Sequence, residues 1–111
     1  MDATAIVESY IDNADFDVAT FAREMCMSRT LLFTKLKALT GQAPADYIRL
    51  IRLQHAAQLL KQGEYTITEI ADKVGFSDAK YFREVFKKYY GVSPSKYVEA
   101  EKIHSQSSEQ D

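Results

Sequence analysis

Apolar side chains recur three or four residues apart along most of the chain, the spacing that places them on one side of an α-helix. The first such run extends from Ala3 to Ile11, and comparable runs follow as far as Ile103. No segment shows the strict alternation of a half-buried strand. The pattern therefore predicts an all-α protein with seven helices, at about 3–12, 18–25, 29–40, 44–62, 67–74, 78–90 and 94–103.

Residues that favour helix ends delimit these segments. Short polar side chains that can cap a helix N-terminus precede three of them, at Asp17, Ser28 and Ser77. Thr66 and Glu69 have the spacing of a capping box. Glycines, which are common just beyond a helix C-terminus, follow four of the segments, at Gly41, Gly63, Gly75 and Gly91.

The chain contains two copies of one pattern, in residues 22–47 and 71–97. The first copy has Ala22, Ser28, Leu32, Leu36, Lys37, Gly41, Pro44 and Tyr47. The second has Ala71, Ser77, Phe82, Phe86, Lys87, Gly91, Pro94 and Tyr97, with an offset of 49 residues up to the serine and 50 beyond it. Each copy reads as a short helix, a turn and a longer helix. That order is typical of a helix-turn-helix, whose second helix lies in the DNA major groove.

The helix predicted over 44–62 begins at the end of the first copy and leads toward the second, and it is apolar on much of its circumference. Such a helix is buried on more than one side, so we expect it to pack against both halves. The chain then divides into an acidic N-terminal helix (1–16), a first helix-turn-helix (17–43), the central helix (44–62), a second helix-turn-helix with the last helix (63–103), and a tail without apolar residues that we expect to be disordered (104–111).

A rotation of 100° per residue separates an inner and an outer face on the second helix of each unit. The inner faces should carry Leu32, Leu36 and Leu39 in the first unit and Phe82, Phe86 and Tyr89 in the second. The outer faces carry Thr30, Phe33, Thr34 and Lys37, and Lys80, Arg83, Glu84 and Lys87, with Asp78 and Ala79 near the helix start. Phe33 is unusual on an outer face. It could contact a thymine methyl group, or it could pack against a neighbouring helix or another domain.

The charge distribution is uneven, although the net charge is only −2. Residues 1–17 hold five acidic residues and no basic one, whereas residues 18–98 hold 13 basic and 7 acidic residues, a net charge of +6. A local basic surface of this size favours nucleic-acid binding. The alternative is that these charges only solvate helix surfaces.

Few features favour other classes of protein. Cys26, which we expect to be a small buried residue in the first turn, is the only cysteine, so neither an internal disulfide nor a cysteine-based zinc site can form. His55 and His104 are far apart in sequence, and we expect no catalytic residue, metal or cofactor. With no transmembrane run or signal peptide, a cytoplasmic location is favoured. A helical protein-interaction domain without specific DNA binding is the main alternative function.

Residues Ile67 to Pro94, ITEIADKVGFSDAKYFREVFKKYYGVSP, resemble the signature of the AraC/XylS transcription regulators. The resemblance covers about residues 17–98. It implies a homeodomain-like fold with two helix-turn-helix units, sequence-specific binding of double-stranded DNA and RNA polymerase as a further partner. The sequence of the first unit, MSRTLLFTKLKALTG, is most similar to output domains of hybrid two-component regulators.

Several expectations about the parent protein follow from that similarity. Because Met1 stands directly before the first predicted helix, we expect the chain to be a fragment of a longer protein. The isolated domain would be a monomer that makes no membrane contact. The parent would be a dimeric transcription activator, with an inner-membrane anchor where a sensor precedes the domain.

Carried over by position, the resemblance implies separate base-contact and backbone-contact residues. The base-contact candidates are Thr30, Phe33, Thr34, Ala79, Lys80, Arg83 and Glu84. The DNA-backbone candidates are Arg29, Lys37, Lys87 and Lys88. Thr34 and Glu84 stand where the family often has arginine, and Ala43 stands where a capping serine is usual.

Overall fold

The computed structural model describes residues 2–100, which form seven helices and no strand. The helices are α1 (Ala3–Ser9), α2 (Val18–Glu24), α3 (Arg29–Thr40), α4 (Pro44–Gln62), α5 (Ile67–Lys73), α6 (Ala79–Tyr90) and α7, which is described over 94–100. The predicted all-α class is confirmed. The predicted end of α7 and the tail from residue 104 lie outside the described residues.

Most of the predicted caps are present. The Asp17 carboxylate accepts a hydrogen bond from the Thr20 amide at 2.9 Å, and the Ser28 hydroxyl accepts one from the Leu31 amide at 3.1 Å. Thr66 and Glu69 form the reciprocal pair of a capping box. The start of α4 has no side-chain cap, as its alanine predicts. Helices α1 and α2 end earlier than predicted, because turns follow Ser9 and Glu24 before the apolar spacing stops.

The predicted cap of α6 is wrong by one residue. Asp78, and not Ser77, occupies the N-cap position, and its carboxylate accepts a hydrogen bond from the Lys80 amide at 3.0 Å. Asp78 follows Ser28 by 50 residues, so the extra residue of the second copy is Ser77 itself. The insertion lies in the turn, where an added residue does not disturb the helix that follows.

Helix α4 joins two separate hydrophobic clusters. The first cluster takes Tyr47, Ile48 and Ile51 from α4 and packs them against α1, α2 and α3. The second takes Leu53, Ala56, Ala57 and Leu60 and packs them against α5 and α6. At 100° per residue these two groups point to roughly opposite sides of the helix. The core therefore changes sides between Ile51 and Leu53, and each helix-turn-helix packs on its own side of α4.

Two predicted core residues are exposed. Leu39 is 83% exposed and Tyr89 is 51% exposed. They occupy matching positions in the last turns of α3 and α6, beyond the last buried residues, Leu36 and Phe86. Tyr90 packs in the second cluster instead, with its ring centroid 4.5 Å from that of Phe86, and burial raises its pKa to about 12. The helical period correctly orients the side of each helix but does not show where the covering neighbours end.

Candidate nucleic-acid interface

The first helix-turn-helix is formed by α2, the turn at residues 25–28 and α3. In the turn, the Met27 amide donates to the Ala22 carbonyl at 2.9 Å, and Cys26 adopts a left-handed backbone with φ of 59°. Cys26 is exposed, so the prediction of a buried residue at this position is wrong. The backbone reverses here because Cys26 takes a conformation that glycine adopts more easily.

Helix α3 presents its predicted outer face to solvent. The exposed residues on this face are Arg29, Thr30, Phe33, Thr34 and Lys37, and the opposite face buries Leu32 and Leu36. Phe33 is 49% exposed, so no helix of the described chain covers it. It borders an apolar depression with Val18 and Pro44. A large aromatic side chain is therefore available to a ligand at this face.

The second helix-turn-helix repeats this arrangement with α5, the turn at residues 74–78 and α6. The exposed residues of α6 include Lys80, Arg83, Glu84, Lys87 and Lys88, while Phe82 and Phe86 are completely buried. Ala79 differs from the other candidates, because it is partly buried and packs against the second cluster. Part of its surface is thus committed to the core.

Two depressions meet on α4 between the two units. The depression beside Phe33 reaches Ala45 on α4. A second depression begins at Ala45 and extends past Arg49 to Ser77 and Tyr81 at the start of α6. Ala45 and Arg49 are about one helical turn apart on α4. The two depressions therefore connect the outer face of α3 with the start of α6.

The basic side chains of α3 and α6 form no salt bridge with acidic neighbours within the described residues. Within residues 2–100 Arg49 forms a salt bridge with Asp46 at 3.0 Å, and His55 Nε2 lies within hydrogen-bond distance of Glu8 Oε2, at 2.8 Å. None of the cations on α3 or α6 takes part in a salt bridge of the described chain. Cations that are free of carboxylate partners are suited to contact phosphates.

Two arginines of α4, Arg49 and Arg52, are not among the functional residues predicted from the sequence. Arg49 lies between the two units and is 40% exposed at its side chain. Arg52, one turn later, is buried at 6% exposure. The signal for both was a charged residue within an otherwise apolar helix. Their different surroundings depend on the rotation of α4 relative to the two clusters.

His55 and two carboxylates at helix N-termini connect parts of the fold. His55 joins α4 to α1 through Glu8, and His104 lies outside the described residues. Backbone hydrogen bonds, from Thr20 to Asp17 and from Thr66 to Glu69, lower the pKa of each capping carboxyl. Over residues 2–100 no group of metal-ligating side chains comes together. No helix in this range is long and apolar enough to cross a bilayer.

Comparison with known proteins identifies the family. The sequence profile of a helix-turn-helix domain of the AraC type matches residues 21–100. The DNA-binding domain of the transcriptional factor AdpA, solved in complex with a target DNA, has a TM-score of 0.81 and 30% identity, covering 94% of this chain and 96% of that chain. The chain belongs to the AraC-type family of DNA-binding transcription regulators.

Two further relatives belong to signalling systems. The C-terminal domain of the two-component response regulator YesN from Fusobacterium nucleatum has a TM-score of 0.79 and 31% identity, covering 86% of this chain and 93% of that chain. A protein named histidine kinase P4 from Formosa agariphila is 44% identical over 95 residues, or 86% of this chain. The chain spans only 7% of the length of that kinase.

Proposed function

We propose that this domain binds double-stranded DNA by placing α3 and α6 in two adjacent segments of the major groove. The observation that carries the proposal is that the depression beside the outer face of α3 meets, at Ala45, the depression that leads past Arg49 to the start of α6. Two recognition helices that face the same way can enter one side of a duplex together. A second helix in register with the first extends the site that is read.

The proposed contacts fall into two groups. Thr30, Phe33 and Thr34 would read bases in one groove segment, and Lys80, Arg83 and Glu84 would read bases in the other, where the partly buried Ala79 offers only an apolar edge. Arginine and lysine pair with guanine, glutamate accepts from cytosine, and a phenyl ring fits a thymine methyl. Arg29, Lys37, Lys87 and Lys88 would contact phosphates, and Arg49 would do so between the two units.

The domain would serve as the output part of a longer signalling protein. The relation to a response regulator and to a protein named a kinase supports a two-component pathway. In that setting a signal received elsewhere on the parent would control DNA binding, the domain would activate transcription with RNA polymerase, and no chemistry would occur in the domain itself. We expect it to act in the cytoplasm, as a monomer when isolated and as part of a dimeric parent.

A salt titration of DNA binding tests the proposal. If about six phosphates are contacted, the logarithm of the binding constant should fall with the logarithm of salt concentration at a slope near −5. The measurement uses fluorescence anisotropy with a duplex selected by the domain from a random library, and a scrambled duplex of the same length as the control. A flat salt response, or equal affinity for both duplexes, would instead favour the interaction-domain alternative.

A further inference from the structure

Arg52 is the one charged side chain that is buried in the described part of the chain, with 6% of its surface exposed. Its Nη2 donates a hydrogen bond to the Asn13 carbonyl oxygen at 2.9 Å. Its Nη1 donates to the Val74 carbonyl oxygen at 3.3 Å and also to the Gly75 carbonyl oxygen. Backbone carbonyls thus hold the charge in place of a carboxylate.

These carbonyls belong to different halves of the molecule. Asn13 lies in the connection between α1 and α2, within the first half. Val74 and Gly75 form the turn of the second helix-turn-helix, directly before α6. Among the hydrogen bonds of residues 2–100, only those of Arg52 reach from one side chain into both halves.

The position of Arg52 on α4 makes this connection possible. Ile51 belongs to the first cluster and Leu53 to the second, so Arg52 lies where the core changes sides. The guanidinium is planar, and the directions of its N–H donors are rigid. A rigid donor group between two sets of carbonyls constrains rotation as well as distance.

The approach of Arg52 to the second turn is close. A Cβ atom added to Gly75 would lie 1.7 Å from Arg52 Nη1 and 2.5 Å from the Ile11 carbonyl oxygen. The glycine therefore allows the guanidinium and the connection after α1 to contact the turn directly. In the matching turn of the first unit, the side chain of Cys26 is exposed.

We propose that Arg52 is a positioning residue that sets the orientation of the second helix-turn-helix relative to the first, and thereby the half-site spacing that the domain accepts. The spacing part rests on the proposed two-site DNA binding. Removal of the guanidinium would leave the buried Val74 and Gly75 carbonyl oxygens and the part-buried Asn13 carbonyl oxygen without this donor. The two halves would remain folded around their own clusters but could rotate relative to each other about α4.

The test compares Arg52→Met and Arg52→Lys with wild type and with Lys61→Met, which removes an exposed cation from the last turn of the same helix. Affinity is measured for the selected site and for sites whose half-sites are moved by 1 or 2 bp. In Arg52→Met the preference for the native spacing should fall by at least about threefold, because a less preorganised protein discriminates less. Arg52→Lys should give an intermediate loss, since one ammonium group cannot reach both halves with the same geometry. Lys61→Met should keep the wild-type preference.

A merely structural role would lower affinity for all spacings equally through a smaller folded fraction, and an unchanged spacing preference in folded Arg52 variants would overturn the proposal. If Arg52→Met does not fold, Arg52→Lys decides in the same way.

Residual dipolar couplings of the free protein, analysed separately for residues 18–40 and 67–90, provide a readout without DNA. In wild type, the couplings of both units should fit a single alignment tensor. In the Arg52 variants, the two units should need different tensors. A single tensor that fits both units of the variants would also contradict the proposal. Absence of DNA binding by wild type would refute the proposed function but leave the orientation test intact.

Discussion

Gly75 and Cys26 occupy matching positions in the two turns, and the structure makes only one of them indispensable. Both have a left-handed backbone, with φ of 87° and 59°. At Gly75 a side chain would also collide with Arg52 and with the Ile11 carbonyl. At Cys26 the side chain is exposed, so the backbone angle is its only restriction. One position is therefore limited by space and conformation, the other by conformation alone.

Substitutions at these two residues should have opposite effects on stability. Gly75→Ala should lower the free energy of unfolding by roughly 2–4 kcal/mol, through the left-handed backbone and the steric clash together. Cys26→Gly should be neutral or raise it by up to about 1 kcal/mol, because relief of the backbone strain exceeds the added chain entropy. Urea denaturation followed by circular dichroism measures both. A similar loss in the two variants would show that Arg52 does not restrict the second turn.

The exposed face of α6 carries side chains with different proposed roles. Arg83 lies near the middle of the helix and Lys87 one turn later, and both are exposed. Neither is among the side chains by which α6 packs in the second cluster, which are Ala79, Phe82, Val85, Phe86 and Tyr90. Changes at these positions should therefore affect DNA binding with little effect on folding.

Arg83→Ala should weaken binding to the selected site by roughly 1–3 kcal/mol and relax the preference at one or two base pairs, as expected when a contact to a guanine edge is lost. Lys87→Ala should weaken binding to selected and scrambled duplexes alike and reduce the salt slope by about 1. Titrations of both variants against both duplexes separate the roles. If the two substitutions behave identically on every duplex, α6 contacts only the DNA backbone.

The described residues, 2–100, measure 51 × 29 × 22 Å along their principal axes. Its long dimension exceeds the roughly 34 Å of one turn of DNA, the distance between groove segments on one side of a duplex. Because α4 is packed into both clusters, the distance between α3 and α6 is a property of the core. The spacing between the sites they contact cannot adapt freely.

DNA half-sites about one helical turn apart should therefore bind best. Insertion of 5 bp between them would turn one half-site to the opposite side of the duplex and should abolish two-site binding. Insertion of a full helical turn of DNA would return both half-sites to the same side of the duplex. The distance between them would then be longer than the rigid α4 can span. Gel-shift titrations on the three duplexes measure this, with a single half-site as reference for one-unit binding. Equal affinity for the native and the 5 bp duplex would mean that only one unit engages DNA.

Local sequence signals predict most of the elements correctly. The bounds of α3 follow from the Ser28 cap and Gly41, and those of α4 from Pro44 in the first turn and Gly63 at the end, signals that act within one helical turn. The outer faces of α3 and α6 follow from helical periodicity. The cap at Asp78 was missed because the repeat aligns Ser77 with Ser28, and only the backbone shows that the inserted residue lies in the turn.

The amino-acid sequence by itself determined the helices, the repeated motif and the side of each recognition helix that carries polar side chains, because these depend on residues a few positions apart. Tertiary structure decided what depends on distant residues: the exposure of Leu39 and Tyr89, the change of sides of the core along α4, and the burial of Arg52. A helix such as α4 that is apolar on most of its circumference does not show in its sequence which side packs against which half of the molecule. The packing of each half against its own side of α4 decides where α3 and α6 lie relative to that helix.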